Sequence, residues 1–426
     1  MIQLLTWLGI IIGILTVSTL IIFYFQGFFR ARTSYHIQCL PSPAAPNFSS
    51  TVASLSDSFL SQGKIAGFWL EAEEINSARL EAIINARESI QFETYTMTPG
   101  KRANDFAVAL AQQAQAGVKV QVIADNYGAH KLPLKYWRNL ETAGVEVRFF
   151  NRFSWRDPVY HLKRNHRKLL LIDQRLALIG GAGVSDEWDG VESKYKTPWL
   201  DYEVCWQGAV ISRLKGLFLQ HWLDAGDTAN LEEEIIPINQ DNESTIIVTS
   251  GEDPTQRDSD IRALFHSLIQ AARERIWIAS PYFLPNRNFR KILVKAQQQG
   301  VDVRILTMGE CSDKPFIHYA SQELYYNLLK GHVGIYEYQP SMMHAKAILV
   351  DNHWVSLGSA NFDPRSFFHN DELNLSTNNQ WLREKIEKFF LNAFSLCEKE
   401  SLEQWKNRSW LKRLRGRFWL LFYWQL

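Results

Sequence analysis

"HRKLLLIDQRLALIGG" (residues 166–181) and "HAKAILVDNHWVSLGS" (residues 344–359) carry the information that decides the fold of this chain. Both obey H-x-K-x4-D-x6-G-[GS], with His166, Lys168, Asp173, Gly180 and Gly181 in the first and His344, Lys346, Asp351, Gly358 and Ser359 in the second. Each fixed position has a chance of roughly one in twenty, so one match is improbable and two in register are not accidental. The apolar run after each histidine reads as a strand, in which residues i and i+2 face one side. His166 and Lys168 therefore point together, as do His344 and Lys346. An imidazole can attack phosphorus, and an ammonium beside it can hold phosphate oxygens whose charge grows in the transition state. Small residues at Gly181 and Ser359 end a second strand, where backbone N–H groups can approach an anion closely. Asp173 and Asp351 fall at the far end of the first strand, which suits a structural or electrostatic role better than proton transfer. His161, two places before Lys163, imitates the start of the motif, but its count to the aspartate lands on Lys168. It reads as a solvated loop residue.

On both sides of the motif the chain alternates helix and strand. "INSARLEAIINARESIQFETYTMTP" (75–99) runs from an amphipathic helix into a β-branched strand, and "AVALAQQAQAGVKVQVIADN" (107–126) repeats the form with a stop at Gly117. "ETAGVEVRFFN" (141–151) supplies a third strand. The rhythm returns in "IRALFHSLIQAARERIWIASPYFLP" (261–285), "KAQQQGVDVRILTMG" (295–309), where Gly300 takes the place of Gly117, and "GHVGIYEYQ" (331–339). The expectation is an α/β chain with two copies of one domain, at 61–240 and 241–400, offset by about 180 residues.

The flanks differ from this core. Residues 1–29 carry no charged side chain and include "LGIIIGILTVSTLIIFYF", the length of a bilayer span, so a single N-terminal transmembrane anchor is expected. Arg30 and Arg32 follow it directly, which by the positive-inside rule puts the catalytic bulk on the cytoplasmic side. "PSPAAPNFSS" (41–50) reads as a linker, assigned to 30–60. The tail 401–426 interleaves Lys406, Arg408, Lys412, Arg413, Arg415 and Arg417 with Trp405, Trp410, Trp419 and Trp424, a pattern suited to an anionic lipid surface. With 46 basic and 45 acidic side chains there is no global field to draw in nucleic acid. Interleaved Arg and Trp in the tail keep a nuclease open as an alternative. Cys39, Cys205, Cys311 and Cys397 are scattered, with no C-x-x-C pair, so neither a zinc site nor a disulfide framework is expected.

The doubled motif resembles the phospholipase D superfamily and, more closely, its bacterial cardiolipin synthases; "AGVKVQVIADNYG", "AGVEVRFF" and "LGSANFDPRSFFHNDELNL" share in the resemblance. It implies two phospholipase D-like α/β domains with mixed sheets about a pseudo-twofold and one active site between them. It also implies metal-independent, cofactor-free transfer of a phosphatidyl group in two steps at an inner cell membrane. One histidine forms a covalent phosphohistidine and the other serves as acid and then base; His166 is taken as nucleophile and His344 as acid/base, although the symmetry of the motifs leaves this open. Lys168 and Lys346 would bind phosphate and Asn361 would contact it, while Glu372 in "NDELN" would orient a catalytic histidine and Asp201 in "WLDYEV" would be its counterpart. Where relatives carry asparagine after the first Gly-Gly, this chain has Gly183, so a polar phosphate contact is lost or passes to a backbone N–H. The expected reaction makes cardiolipin from phosphatidylglycerol, with membrane phospholipids as partners and no nucleic acid. Hydrolysis of a phospholipid is the alternative, and a nuclease the weaker one.

Overall fold

A computed structural model of the chain describes residues 2–28, 37, 39–152, 155, 163–190, 197–226, 244–252 and 259–426. His161, Arg30 and Arg32 lie outside the described residues. The N-terminal half runs α1 (Ile2–Phe28), α2 (Phe48–Leu55), β1 (Phe59–Trp69), α3 (Ala72–Ile84), β2 (Ser89–Thr94), α4 (Lys101–Gln115), β3 (Lys119–Asp125), α5 (Leu134–Thr142) and β4 (Glu146–Phe150). It continues with β5 (Arg164–Asn165), β6 (Leu169–Ile172), β7 (Leu176–Gly180), β8 (Glu203–Gln207) and α6 (Val210–Asp224). The second half opens with β9 (Ser244–Gly251), α7 (Asp260–Ala271), β10 (Arg275–Ala279), α8 (Arg287–Gln298), β11 (Asp302–Met308), α9 (Pro315–Leu324), α10 (Tyr326–Lys330) and β12 (Gly334–Tyr338). It closes with β13 (Ala347–Val350), β14 (Trp354–Gly358), α11 (Pro364–Phe368), β15 (Asn370–Thr377), α12 (Gln380–Ser395), β16 (Cys397–Lys399), α13 (Leu402–Asn407) and α14 (Trp410–Leu420).

The strands form one mixed sheet, and its order states the repeat: β4-β3-β2-β6-β7-β8-β1 on one side, β9-β15-β14-β13-β10-β11-β12-β16 on the other. Each half has three parallel strands and then an antiparallel run, and the halves join where β1 pairs antiparallel with β9. The inner parallel strands are buried on both faces, with polar Gln91, Glu93 and Gln121 among the buried residues of β2 and β3. In β3 every residue after Lys119 is buried. Gly117 and Gly300 end α4 and α8 with φ of 92° and 93°, the left-handed value that glycine adopts without a Cβ penalty. A single apolar core crosses the seam, joining Leu214, Phe218 and Trp222 of α6 to Ile386, Phe389 and Phe390 of α12 through Tyr202, Leu357 and Leu373.

The flanks differ from their expectations in two respects. Within the supposed linker, Phe48 and Val52 stand four apart on α2, and both are fully buried beside α7 and Trp354. Proline and serine there start a helix rather than a free connector. α1 is a 27-residue helix whose described side chains, such as Leu5, Trp7, Ile14 and Ile21, are exposed. Among the described residues, no helix is long and apolar enough to cross a membrane, so the anchor expected from residues 1–29 is not shown. The tail, whose pattern suits a lipid surface, packs in part on the protein. Gly416 lets α14 lie on α9, where a Cβ would stand 2.5 Å from the Tyr319 carbonyl, and Arg408 pairs with the buried Glu323 at 2.9 Å.

Candidate active site

The residues next to each histidine belong to the neighbouring half of the sheet. β5, two residues long, pairs in parallel with β15 through Arg164–Asn370 and Asn165–Asp371, and the His166 N–H donates to the Asp371 carbonyl at 2.9 Å. In the second copy Met343 bridges Leu200, and the His344 N–H donates to the Leu200 carbonyl at 2.8 Å. Each repeat therefore holds the other's histidine in place.

The side chains cross in the same way. His166 Nδ1 lies 3.0 and 3.1 Å from Glu372 Oε2 and Oε1, and His344 Nδ1 lies 2.9 Å from Asp201 Oδ2. A carboxylate at Nδ1 selects the tautomer with the proton there and leaves Nε2 with the lone pair. Each carboxylate is fixed by its own repeat. Ser359 Oγ and Ser366 Oγ donate to Glu372 at 2.5 and 2.6 Å, while Trp188 Nε1 and the Tyr202 N–H donate to Asp201 at 2.9 Å each. Trp188 and Ser366 stand at equivalent positions, five residues after Gly183 and Asn361 respectively, so two unlike residue types do one job.

Burial governs the charge of the site. It pushes His166 down to about 4 against the pull of Glu372, and His344 down to about 3, helped by the Lys346 ammonium. Burial also opposes charge on Glu372 and Asp201, but the histidine each faces, with the donors above, holds both below the usual carboxylate range. Lys168 is lowered to about 7, first by burial and then by Lys346, and Lys346 to about 8, first by burial. Lys168 Nζ donates to the His166 carbonyl at 2.8 Å, and Lys346 Nζ bonds the His344 carbonyl and lies 3.1 Å from its Nδ1. The site thus combines neutral imidazoles with two crowded ammonium groups, an arrangement that a bound anion relieves.

That arrangement predicts an alkaline limb. Each lysine is a cation below its pKa and neutral above it, so anion binding is lost as pH rises through about 7 to 8. The free enzyme's kcat/KM should fall over that window. A guanidinium stays charged above pH 12, so Lys168→Arg, at reduced rate, should shift the limb upward. A pH–rate profile unchanged in both Lys168→Arg and Lys346→Arg would remove the lysines from anion binding.

The remaining expected residues divide. Asp173 and Asp351 are not in the site. Both take a left-handed backbone, φ 50° and 48°, at the turn after β6 and β13, about 20 Å along the chain from their histidines. Asp173 accepts the N–H groups of Arg87, Glu88 and Ser89, and Asp351 those of Arg273, Glu274 and Arg275, at 2.7–3.1 Å. They clamp the starts of β2 and β10, because a carboxylate accepts several converging donors. Gly181 and Ser359 form no anion cradle either; their N–H groups donate to the carbonyls of Tyr202 and Leu373. Gly181 instead makes room: a Cβ there would stand 2.2 Å from Asp201 Oδ1. Ser359 serves through its hydroxyl on Glu372. Asn361 is buried, and among the described residues its carboxamide oxygen has no hydrogen-bond partner; contact with a phosphate would have to come from its carboxamide N–H groups, which donate, rather than from that oxygen. At the matching Gly183 a Cβ would meet the Thr96 carbonyl at 2.8 Å and Trp188 at 3.2 Å, so no asparagine fits this backbone.

Several residues of the site carry no signal in the motif. Tyr95 sets its ring edge-on to His166 at 5.2 Å, whereas Trp188 and Trp199 flank His344 at 5.1 and 5.7 Å. The two ends of the site therefore differ in their aromatic walls. Behind His166, the buried His221 joins Glu93, through Nδ1, to Asp371, 3.3 Å from Nε2, and Asn165 Nδ2 donates to the same Glu93 at 2.7 Å. This bridge fixes β5 against β15 and so aims His166 at Glu372. Among the described residues, no group of three or more His, Cys, Asp or Glu side chains is placed to hold a metal ion.

Two histidine–lysine pairs from a duplicated sheet, each histidine backed by the other repeat's carboxylate, define a phospholipase D-like site. A family model described as "Cardiolipin synthase, PLD-like domain" matches residues 80–188 and 265–394, and the chain belongs to that family. Cardiolipin synthase A of Pseudomonas fluorescens (strain SBW25) is 32% identical over 340 residues, which cover 79% of this chain and 70% of that one. Cardiolipin synthase 2 of Bacillus cereus is 34% identical over 308 residues, covering 71% of this chain and 59% of that one. Phosphatidylserine synthase of Haemophilus influenzae Rd KW20 shares the fold, with a TM-score of 0.67 and 13% identity over 89% of this chain and 100% of that one.

Proposed function

We propose that this protein is a phosphatidyltransferase that makes cardiolipin from two molecules of phosphatidylglycerol at a membrane. The observation that carries the reading is the cross-paired site, His166 on Glu372 and His344 on Asp201, in a chain related to cardiolipin synthases over most of its length. His166 Nε2 attacks phosphorus, the bond from phosphorus to the glycerol oxygen breaks, and His344 gives that oxygen a proton. Glycerol leaves. The free hydroxyl of a second phosphatidylglycerol then loses its proton to His344 and attacks phosphorus, and the phosphorus–nitrogen bond of the phosphohistidine breaks. Lys168, Lys346 and Asn361 hold the phosphate oxygens, whose negative charge raises the pKa of the buried His344 so that it can carry the proton. Glu372 and Asp201 stabilise whichever imidazole is charged.

The membrane side of the reading rests on both ends of the chain. The uncharged run 1–29 anchors the protein as a single pass, and Arg30 and Arg32 keep the catalytic halves cytoplasmic. α14 offers the apolar face of Trp410, Leu411, Leu414, Phe418 and Leu421, all exposed, next to the basic side chains of the tail. Purified protein given phosphatidylglycerol labelled in the glycerol headgroup tests the reaction. Cardiolipin with free labelled glycerol is expected. Phosphatidic acid in place of cardiolipin would make water the acceptor, and inertness toward lipid with cleavage of DNA would sink the lipid reading.

A further inference from the structure

Away from the active site, α8 and α10 enclose a cavity of about 450 Å³ lined by Arg287, Arg290, Lys291, Lys295 and Lys330, with Asn327 among them. Gly331 brings the end of α10 onto α8, since a Cβ there would stand 2.7 Å from Val294, and this close approach makes the groove. Neither helix contains an acidic residue. Among the described residues, no carboxylate lies within ion-pair distance of any of the five cations. The chain as a whole is almost neutral, at +1, so this cluster is not a by-product of a basic composition. Five like charges in one groove repel one another, and an anion there relieves the repulsion.

The groove's position indicates the source of that anion. Arg290 Nη1 donates to the Pro285 carbonyl at 2.6 Å, and Tyr423 Oη from the C-terminal turn donates to the Leu284 carbonyl at 2.9 Å. Trp424 packs on Phe368 at 5.7 Å, and α1 meets the same turn, Tyr423–Gln425. On its other side the Leu284 N–H donates to the Phe362 carbonyl, next to Asn361 of the active site. One short segment, 281–285, thus links the groove both to the C-terminal turn that the apolar N-terminal helix meets and to the catalytic loop.

We infer that the groove between α8 and α10 binds the phosphate-bearing headgroup of an anionic phospholipid in the bilayer, as a second lipid site separate from the catalytic one. The inference rests on the membrane reading of both ends of the chain. A headgroup held here seats the catalytic half on an anionic surface and keeps donor lipid close to the site.

The test uses the full chain in mixed micelles with a phosphatidylglycerol that carries a photoactivatable group near its phosphate. Irradiation should label peptides of 287–298 and 326–331 in addition to the active site. K291E/K295E/K330E should lower groove labelling roughly tenfold or more, since each surface cation contributes severalfold to anionic-lipid affinity, and leave active-site labelling within about twofold. K291A/K295A/K330A carries the same test with a smaller perturbation, and an unchanged circular dichroism spectrum shows that either variant is folded. Groove labelling that survives in both variants would overturn the proposal. So would equal labelling by an uncharged-headgroup probe, or loss of labelling to excess glycerol phosphate in solution, which would make the ligand a free phosphate ester. A chain that labels in the groove but makes no cardiolipin would retain the lipid site and lose the proposed reaction; the opposite result would lose the groove alone.

Discussion

His166→Ala and His344→Ala should each lower cardiolipin formation by on the order of 10⁴-fold or more, yet fail at different steps. Without the His166 imidazole no phosphorus–nitrogen bond forms, so the variant should give no covalent adduct with any substrate. Without His344 the leaving oxygen receives no proton, which a good leaving group does not need. A phosphatidyl ester of a nitrophenol should therefore load His166 in the His344→Ala enzyme and remain there, because no base activates the acceptor hydroxyl. Mass spectrometry of the trapped enzyme locates the modified residue. An adduct on His344 in the His166→Ala enzyme would reverse the two roles. The two histidines differ in their surroundings, Trp188 and Trp199 beside His344 and Tyr95 beside His166, so the two variants need not fail alike. Turnover unchanged in both variants would remove the site altogether.

Glu372→Gln and Asp201→Asn should each cost on the order of 10³–10⁴ in kcat with the fold intact, the size found when an orienting carboxylate beside a catalytic histidine is neutralised. The amide matches the carboxylate in shape, but it presents an N–H as readily as an oxygen and cannot stabilise an imidazolium. Glu372 sits among Ser359, Ser366 and His166, all of which approach it as donors, so an amide leaves at least one donor facing another. The pH profile separates this effect from simple misfolding. Loss of the carboxylate removes the influence that raises His166 against burial, so the imidazole of Glu372→Gln should be still harder to protonate. Because each carboxylate acts on a histidine of the other repeat, the His166→Ala/Glu372→Gln double variant should be no worse than His166→Ala alone. Additive losses would show that Glu372 acts elsewhere.

Much of the fold was legible because it is local. The helix–strand rhythm of 75–151 and its return at 261–339 followed from periodicity, with Gly117 and Gly300 as matched stops, and the sheet carries these strands in the same order in both halves. β1 and β9 were not legible. They join the halves, and half-exposed strands such as β1, with its mixed burial, leave no clean alternation. α2 was hidden by its Pro and Ser neighbours, since two buried side chains four apart are too few to outweigh turn composition.

The sequence by itself determined the chemistry: His166 with Lys168, His344 with Lys346, two copies, one kind of site. It also supplied Asp201, Glu372 and Asn361 through their resemblance to a family pattern. Only the tertiary structure decided the partners. Glu372 serves His166 across 206 positions and Asp201 serves His344 across 143, because β5 pairs with β15 and Met343 with Leu200 over the seam. It also moved Asp173 and Asp351 out of the site and gave Gly181 its reason, the room that Asp201 occupies. Spacing along a strand sets the side to which a residue points, which is a property of the local backbone. What it meets there depends on chain closure between distant strands, and no local pattern encodes that.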